Sequence, residues 1–379
     1  MKVLLLDPNN DTPNINYPLV SAIQETGEID IQLISSFNRF HSKYYDANRY
    51  CEPKYLFFQY ENRISNKKLR KMLKIIGYPF YNFLLLYHVS RNSPDIIHYD
   101  WIKIPVIDYI FIRMYKFLGI KIILTQHNYY QHNKKRLRLL EFKIFCTVER
   151  IICLSNFVRD QFEKEVRQKV VLIKHGNCYE QDIRIYKKQI TKDNQGSKFR
   201  ILFLGTIKKY KGVELLLDSI GILINERYQE DIHVAITGVC SKNYSRRIKF
   251  LINEKGLHKF VNFQPVFLSN RNLYNLVYNT DIGVLPYLEA TQSGIPYIYY
   301  SFYKPIVVTD VGALPEQVSE KIARVSKPNA IDFADSIMEL KELIENKQIK
   351  ESYFDDHLKQ FKWTGITKEY IDLYKKLQG

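Results

Sequence analysis

Cysteine is scarce in this sequence, and its placement excludes several classes of protein. The chain has five cysteines among 379 residues, and none of them forms a C-x-x-C pair. Scattered cysteines argue against a disulfide framework and against a structural zinc site. This usage therefore indicates a reduced, cytoplasmic protein.

Long hydrophobic runs are missing as well. The opening stretch MKVLLLDPNN is interrupted at Asp7 and Pro8, which leaves too short an apolar run for a signal peptide. The apolar stretch at residues 104–124 is interrupted by Asp108 and Arg113. Because a membrane span needs about 18 uninterrupted apolar residues, we expect a globular chain without a membrane-spanning segment.

Acidic residues are too few to balance the basic ones in the first half of the chain, but nearly balance them in the second. Residues 1–200 hold 33 Lys and Arg against 19 Asp and Glu, whereas residues 201–379 hold 23 against 21. A charge that served solubility alone would be spread more evenly. The asymmetry points to a polyanionic partner for the first half, which could be nucleic acid, an acidic membrane surface or a phosphate-bearing substrate.

Short β-rich apolar runs alternate with amphipathic helical stretches almost throughout the chain. This order is typical of α/β proteins whose parallel sheets carry helices on both faces. The polar segment 184–198 has no sustained period and predicts a linker between residues 1–183 and residues 199–356. We expect two doubly wound domains that bind a ligand beyond the carboxyl ends of their strands. The predicted strands are KVLLLD, IDIQLIS, DIIHYD, KIILTQ, RIICLS and KVVLIK, then RILFLG, DIHVAITG, FVNFQPV, DIGVLPY and PIVVTDVG; the predicted helices are Tyr17–Glu25, Ile104–Leu118, Asn156–Glu165, Ala330–Glu345 and Gly365–Leu377.

Three lysines crowd the turn that follows the strand RILFLG. Gly205 lets the chain turn off the strand, and Gly212 lets the next helix begin close by. Lys208, Lys209 and Lys211 stand between them, at a helix N-terminus that is itself partly positive. Because this arrangement is unfavourable without an anion, it predicts a phosphate site; the alternative is a solvated lysine loop.

A second turn has the composition of a sugar or phosphate site. Gln292, Ser293 and Gly294 lead into an apolar helix and offer backbone N–H groups and a hydroxyl. Glu289 precedes this turn, and Glu316 lies in the later stretch DVGALPE. Carboxylates beside a phosphate site suit sugar or ribose hydroxyls. Glu316 could equally be a charge that stabilises a helix N-terminus.

In the first half, His127 and Asn128 come directly after the strand KIILTQ. Functional groups of a Rossmann-like domain lie at this end of the strands. A histidine there could act as a base or hold a sugar hydroxyl, or it could be a surface-loop residue. His132 is near, but no acidic residue accompanies the pair, so we expect no metal site.

These segments together resemble the nucleotide-sugar glycosyltransferases of GT-B fold, specifically glycosyltransferase family 4 in its bacterial surface-polysaccharide branch. The resemblance covers nearly the whole chain and keeps the family's order of motifs. It rests on the stretches DIIHYDW, ILTQHN, RIICLSNFVRDQF, VLIKHGN, FLGTIKKYKGVELLL, DIGVLPY, TQSGIPYIYYSFYKPIVVTDVGALPE and FKWTGITKEYIDLYKKL.

The resemblance implies two Rossmann-like domains that face each other across a cleft. The acceptor-side domain would be residues 1–183, completed by a C-terminal helix at about residues 357–379, and residues 199–356 would bind the donor. Lys211 would contact the donor diphosphate, with Lys208 in the place of the family's arginine. His127 would contact the transferred sugar. Gly205 and the turn at residues 292–294 would belong to the donor site, together with Glu289 and Glu316.

Two departures from the family pattern affect the donor assignment. By spacing, the family's E-x7-E pair falls at about Ala290 and Ile298, so ribose recognition must differ. The stretch DPNNDTPNINY lacks a Gly-Gly loop, which leaves Asn16 or nearby backbone to meet the donor or acceptor. We place Asn16 and Asn128 on the acceptor side.

The expected reaction moves a sugar from a UDP- or GDP-sugar to a glycan or polyprenyl-diphosphate-linked acceptor in surface-polysaccharide biosynthesis, with retention of configuration. Neither a cofactor nor a metal is expected, because lysines and helix N-termini would stabilise the departing diphosphate. One alternative is a nucleotide-sugar epimerase. Another is a non-enzymatic protein that binds nucleic acid or membranes. The aromatic residues lie largely in apolar periodic segments, which argues against a nucleic-acid partner.

The sequence also predicts where the protein works. Residues 51–150 contain 18 Lys and Arg against 7 Asp and Glu. Basic amphipathic helices of this kind can lie in an anionic membrane interface, so we expect peripheral association with the inner face of the cell membrane. The alternative is that their apolar faces pack on the first-domain sheet. The two stretches are NKKLRKMLKII, with Lys67, Lys71 and Lys74 opposite Leu69, Met72, Leu73 and Ile76, and KKRLRLLEFKIF, with Lys134, Lys135, Arg136 and Arg138 beside Leu137, Leu139, Leu140 and Phe142.

Overall fold

The computed structural model describes residues 1–37, 51–58, 60–127, 135–192 and 198–378. The chain divides into two compact units: Met1–Cys178 with Phe361–Gly379, and Tyr179–Gln360. Within the described residues, no helix is both long enough and apolar enough to cross a membrane.

The first unit is built on a parallel sheet with strand order β3-β2-β1-β4-β5-β6-β7. The order reverses between β1 and β4, as in doubly wound folds. Strands β1, β2, β4, β5 and β6 are largely buried because their Val, Ile and Leu side chains pack beneath helices on both faces. The strands are β1 (Lys2–Asp7), β2 (Asp30–Ser36), β3 (Lys54–Phe57), β4 (Ile96–Tyr99), β5 (Lys121–Gln126), β6 (Arg150–Cys153) and β7 (Val170–Leu172).

Within the residues that the structure describes, six helices of the first unit lie between its strands along the chain. Asn66 and Ser155 start two of them, since each side chain accepts a hydrogen bond from a backbone N–H of the first turn. The helix predicted at residues 156–165 is two short helices, with buried Phe162 in the break between them. The helices are α1 (Pro13–Thr26), α2 (Lys67–Asn92), α3 (Pro105–Phe117), α4 (Lys135–Thr147), α5 (Asn156–Arg159) and α6 (Lys164–Arg167), with a 3-10 turn at Glu61–Arg63.

The second unit repeats this plan with strand order β10-β9-β8-β11-β12-β13, and its reversal lies between β8 and β11. All its pairings are parallel in the described residues. Its core is a single cluster of apolar side chains from both faces of the sheet. The strands are β8 (Phe199–Leu204), β9 (Ile232–Thr237), β10 (Val261–Gln264), β11 (Ile282–Leu285), β12 (Ile306–Thr309) and β13 (Ala323–Ser326).

Residues 184–192 of the segment predicted to be a linker belong to the second unit, and residues 193–197 lie outside the described part of the chain. Residues Glu180–Tyr186 form a helix, and the rings of Tyr186 and Tyr274 lie 5.8 Å apart. Ile183 of this helix, directly before the predicted linker, is buried in the core of the second unit. The helices are α7 (Glu180–Tyr186), α8 (Val213–Gly221), α9 (Lys242–Glu254), α10 (Asn270–Tyr278), α11 (Ile295–Tyr300), α12 (Ala330–Glu345) and α13 (Glu351–Lys359), with 3-10 turns at Lys187–Gln189, Lys209–Lys211, Leu257–Lys259 and Pro315–Gln317 and a π-helical turn at Ile222–Glu226.

The last helix, α14 (Trp363–Lys376), returns to the first unit and packs against α1. The hydroxyl of Tyr374 lies 2.8 Å from Nδ1 of His98 in β4, and the Trp363 indole donates to the carbonyl of Asn177. Helix α14 therefore completes the core of the first unit.

Candidate active site

Three ionisable side chains lie at the carboxyl edge of the first sheet. Asp7 ends β1, Asp100 follows β4, and His127 follows β5. Because β1 and β4 flank the reversal of strand order, the two carboxylates lie at the point where doubly wound folds bind ligands. All three side chains are buried.

Short hydrogen bonds hold this cluster together. Nε2 of His127 lies 2.9 Å from Oδ1 of Asp100. The other oxygen of Asp100 accepts from the Thr12 hydroxyl at 2.6 Å and from the Asn16 amide at 2.9 Å. Asn16 also donates to Asp7 at 3.1 Å. The side chains of helix α1 and its preceding turn thus fix both carboxylates, and Asp100 fixes the imidazole.

Trp101 covers one face of the imidazole. The rings of Trp101 and His127 are stacked, with centroids 4.2 Å apart and an interplanar angle of 9°. The indole N–H donates to the Thr12 hydroxyl at 3.1 Å, and the ammonium of Lys103 lies 4.7 Å from the indole centroid while it pairs with Asp11. His127 is therefore held in one orientation by a hydrogen bond and by a ring contact, which distinguishes it from a surface-loop histidine.

The two carboxylates have opposite pKa shifts. Burial and the nearby charge of Asp100 raise the pKa of Asp7 to about 6. Burial also opposes ionisation of Asp100, but His127 and the hydrogen bonds from His127, Thr12 and Asn16 hold the pKa of Asp100 well below its usual range. Asp100 therefore carries the negative charge that faces the imidazole.

Asn16 has a different position from the one the sequence suggests. Its side chain is buried, and its amide nitrogen lies within hydrogen-bond distance of Asp7, Thr12 and Asp100. This amide bridges two carboxylates, so we assign it to holding the cluster rather than to meeting a donor or acceptor directly. Asn128 lies outside the described residues.

In the second unit, the loops at the carboxyl edge approach each other closely at glycines. Gly212 has φ 67°, and a Cβ there would lie 1.7 Å from the carbonyl oxygen of Pro286. A Cβ on Gly238 would lie 1.7 Å from the carbonyl oxygen of Gly205. The turn after β8 is thereby packed against the loops after β9 and β11, and a side chain at either position would force them apart.

Lys211 is the most buried of the three lysines in this turn. Its ammonium lies 3.5 Å from the ring centroid of Tyr287, and burial, followed by the charge of Lys208, lowers its pKa to about 8. Lys208 and Lys209 are exposed. No carboxylate in the described residues pairs with Lys211. The cation is partly desolvated without a counterion, which is the condition under which a bound anion is most favourable.

The Gln-Ser-Gly turn is fixed by a side chain that the sequence analysis missed. The Gln317 side chain accepts from the Ser293 N–H at 2.9 Å and donates to its carbonyl at 2.8 Å. The N–H of Ser293 is therefore not available to a phosphate. The following helix is only the six residues Ile295–Tyr300, which weakens the expected effect of a helix N-terminus.

The remaining donor-site candidates differ in exposure. Gln292, Gly294 and Glu316 are half-buried, and Glu289 is exposed. Glu316 lies in the 3-10 turn directly before Gln317, so it adjoins the Gln-Ser-Gly turn through its neighbour in the chain.

Tyr287 connects the two predicted clusters of the second unit. Lys211 lies against its ring, and its hydroxyl shares a hydrogen bond with Ser293; burial raises the pKa of Tyr287 far above its usual value despite that bond. Gly312, with φ 57°, lets its loop approach so closely that a Cβ would lie 1.4 Å from the carbonyl oxygen of Ala290. The lysine turn and the Gln-Ser-Gly turn are thus neighbours at one edge of the sheet.

The structure adds residues that sequence reasoning did not single out. Asp7 and Asp100 end the apolar stretches KVLLLD and DIIHYD, which is the same signal that identified His127. Tyr287 and Gln317 act through contacts between loops that are distant in sequence, and no local pattern indicates them.

Two family models match this chain in the same order as the two units. Residues 46–176 match the model described as Glycosyltransferase Family 4. Residues 198–342 match the model described as Glycosyl transferases group 1. Together the two matches cover most of the chain.

A curated relative and two solved structures illustrate the similarity. The chain is 23% identical over 180 residues to a D-inositol 3-phosphate glycosyltransferase from Paenarthrobacter aurescens, which is 47% of this chain and 44% of the relative. The chain spans between 28% and 60% of the length of the three curated relatives it matches.

The solved structures are similar over their full length. A glycosyltransferase from Rickettsia africae has a TM-score of 0.74 at 17% identity, covering 100% of this chain and 98% of that one. Anabaena Alr3699/HepE in complex with UDP has a TM-score of 0.73 at 13% identity, covering 99% and 100%. These likenesses confirm the predicted fold class. The chain therefore has the GT-B glycosyltransferase fold, with the Glycosyltransferase Family 4 model matched in its first unit and the Glycosyl transferases group 1 model in its second.

Proposed function

We propose that this glycosyltransferase moves a sugar from a UDP- or GDP-sugar to a glycan or polyprenyl-diphosphate-linked acceptor. The observation that carries the proposal is the half-buried ammonium of Lys211, which no carboxylate in the described part of the chain neutralises. The solved structures of Alr3699/HepE with UDP and with UDP-glucose support a nucleotide-sugar donor for a chain of this fold.

In the proposed reaction, the second unit stabilises the leaving group. Negative charge grows on the nucleotide diphosphate as the glycosidic bond breaks, and a cation already fixed nearby stabilises it without reorganisation. Lys211 supplies that cation, and the exposed Lys208 adds a second one at the edge of the turn. A bound diphosphate would also restore the pKa of Lys211, since an opposite charge favours the ammonium form. On this account the reaction requires no metal ion.

The first unit contributes His127 to the proposed reaction. Its imidazole is oriented by Asp100 and Trp101, so it can hold a hydroxyl of the transferred sugar in a fixed position. The acceptor hydroxyl enters on the side of the leaving group, which gives retention of anomeric configuration.

We place the reaction in surface-polysaccharide biosynthesis, at the inner face of the cell membrane. The surplus of 33 Lys and Arg over 19 Asp and Glu in residues 1–200 favours an anionic surface. A polyprenyl-diphosphate acceptor would lie in that surface, and nucleic acid is not among the proposed partners.

The test is release of UDP or GDP from a panel of nucleotide sugars, with and without EDTA and with Lys211→Ala as the control. Release that EDTA does not lower and that Lys211→Ala lowers about a hundredfold is the expected result. Conversion of the nucleotide sugar to its epimer without free nucleotide would identify an epimerase instead. No turnover of any donor with any acceptor would favour a binding protein, and dependence on a divalent cation would overturn the metal-free account.

A further inference from the structure

Helix α2 carries an apolar stripe on its solvent side. Ile76, Phe80, Phe83 and Tyr87 recur every three or four residues, and each is between 59% and 66% exposed. Residues at this spacing lie on one face of a helix, so the exposed side chains form a continuous row. A soluble helix normally presents polar residues there.

Helix α3 continues the same apolar surface. Val106, Ile110 and Phe117 are exposed at separations of four and seven residues, which place them on one face, and Phe117 is 92% exposed. The ring of Phe83 contacts Phe111 of α3 edge-on, at 5.2 Å between centroids. A groove of about 640 Å³ lies between the two helices, and its lining includes Phe83 and Phe117. The exposed rows are therefore parts of one surface, which we call the α2–α3 face.

The α2–α3 face is not the side on which these helices meet the sheet. That side is formed by Tyr78, Leu85 and Val89 of α2, which are buried in the core. The Tyr78 hydroxyl donates to Asp108 of α3 at 2.6 Å, which joins the two helices beneath the surface. Packing on the sheet thus accounts for one set of apolar residues, and the exposed set lies outside that core.

The exposed charged side chains that α2 and α3 themselves contribute are basic, although Glu61 lies beside α2 and accepts from the Tyr81 hydroxyl. Helix α2 contains six Lys and Arg and no Asp or Glu, and the one carboxylate of α3, Asp108, is buried. Lys67, Lys71, Arg91 and Arg113 are exposed. Lys74 differs from the sequence expectation, because it turns inward to the Phe58 ring and to Asn9.

We propose that the α2–α3 face is a membrane-docking surface that inserts Phe80, Phe83 and Phe117 into an anionic bilayer interface. It deepens the peripheral location in the proposed function, and it does not depend on which sugar is transferred. Aromatic and aliphatic side chains surrounded by Lys and Arg match the acyl boundary and the anionic headgroups at once. A second copy of the chain suits the face less well, since a two-fold contact would bring the same positive charges together.

The experiment is co-sedimentation of the full chain with phosphatidylcholine vesicles and with vesicles that also contain phosphatidylglycerol. Wild type is expected to bind the anionic vesicles, with binding that weakens as salt rises. Phe80→Asp and Phe117→Asp are each expected to lower the partition coefficient about tenfold, the change that accompanies loss of one buried aromatic side chain. Phe267→Asp in the second unit is the matched control, because Phe267 is 84% exposed and lies far outside this face in sequence.

A spectroscopic variant separates insertion from attraction by charge alone. Phe80→Trp is expected to show a blue-shifted emission with anionic vesicles that acyl-chain quenchers reduce. Unchanged emission, or binding by Phe80→Asp and Phe117→Asp equal to that of wild type, would overturn the proposal. A wild-type dimer that both Asp variants split into monomers would identify the face as a self-association surface instead. Nucleotide release by these variants with a water-soluble acceptor should stay at the wild-type rate, so failure of docking and failure of the proposed function are distinguishable.

Discussion

The two units share a strand order but have different chemistry at the same place in the fold. In the first unit, side chains that hydrogen-bond to one another fill the point where the order reverses, and Asp7, Asp100 and His127 are all buried. In the second, closely packed backbone at glycines forms the site, and lysines supply its charge. The shared topology fixes where a site lies, and the local residues fix what it can bind.

In neither unit does the net charge of the sequence match the charge of the residues at the carboxyl edge of the sheet. The first half of the chain, with its large positive surplus, places buried carboxylates at the carboxyl edge of its sheet. The nearly neutral second half places there a half-buried lysine that no carboxylate of the described residues pairs with. Net charge therefore indicates the partner of an outer surface, and it does not indicate the chemistry of the site.

The largest expected effect is that of removing the Lys211 ammonium from the second unit. Lys211→Ala should lower kcat/KM about a hundredfold, because removing one fixed charge from a developing anion costs roughly 3 kcal/mol of transition-state stabilisation. Lys208→Ala should cost less, since Lys209 can partly replace it. Steady-state kinetics with the soluble donor measure both. Lys209→Ala is the control, and a folded Lys211→Ala enzyme with near-normal turnover would contradict the placement of the diphosphate.

The close backbone approach at Gly212 in the second unit can be tested by a pair of substitutions. Gly212 and Gly256 both have φ 67°, but a Cβ at Gly256 meets no atom within 4 Å, whereas one at Gly212 meets the carbonyl of Pro286. Gly212→Ala should lower the free energy of unfolding by about 2 kcal/mol more than Gly256→Ala, because the loops must move apart. Denaturant unfolding gives both values. Equal losses would mean that the backbone angle alone accounts for the glycine.

The buried carboxylate of Asp7 in the first unit should make the free energy of unfolding depend on pH. The pKa of Asp7 in the folded chain, about 6, exceeds its ordinary value of 3.8, so the folded state binds this proton more tightly. Its contribution to the free energy of unfolding is complete below about pH 4 and is lost as the pH rises through 6, a change on the order of 2 kcal/mol.

Asp7→Asn removes that contribution, so the variant should lose less stability than wild type between pH 4 and 6. Asp108, whose pKa burial also raises to about 6, contributes in the same window and is unchanged in both proteins. Denaturant unfolding across this range measures the difference. Parallel curves for Asp7→Asn and wild type would show that Asp7 is not desolvated as described.

The smallest expected effect concerns the imidazole. His127→Ala should lower kcat about tenfold, with a smaller rise in the KM of the donor, since one hydrogen bond to the reacting sugar is lost. His258→Ala, an exposed histidine of the second unit, is the control. If both constants of His127→Ala match wild type, the histidine serves only the packing against Trp101.

Much of the fold could be predicted from the sequence, because parallel strands buried on both faces are recognisable as continuous apolar runs. The stretch KIILTQ coincides with β5, and residues 330–345 coincide with α12. Two strands were missed, and both are short: KYLF and ARVS lie at the outer edges of the sheets, where one side has no neighbouring strand to favour apolar residues.

Part of the candidate site could also be predicted from the sequence, namely the residues that follow the recognisable strands. Single residues after strands, such as His127 and Lys211, follow from position along the chain. Partners brought in by loop packing, such as Tyr287 against Lys211 and Gln317 against Ser293, depend on three-dimensional proximity that no local pattern encodes.

The return of α14 to the first unit has a consequence for synthesis on the ribosome. The second unit is one uninterrupted segment, Tyr179–Gln360, whereas the first needs Phe361–Gly379 to fill its core with Tyr370 and Tyr374. The unit that begins earlier in the sequence therefore cannot be completed until the second unit has been synthesised. Until α14 has been synthesised, the nascent first unit has an open apolar flank on α1, and it is in this interval that a chaperone would have its binding site.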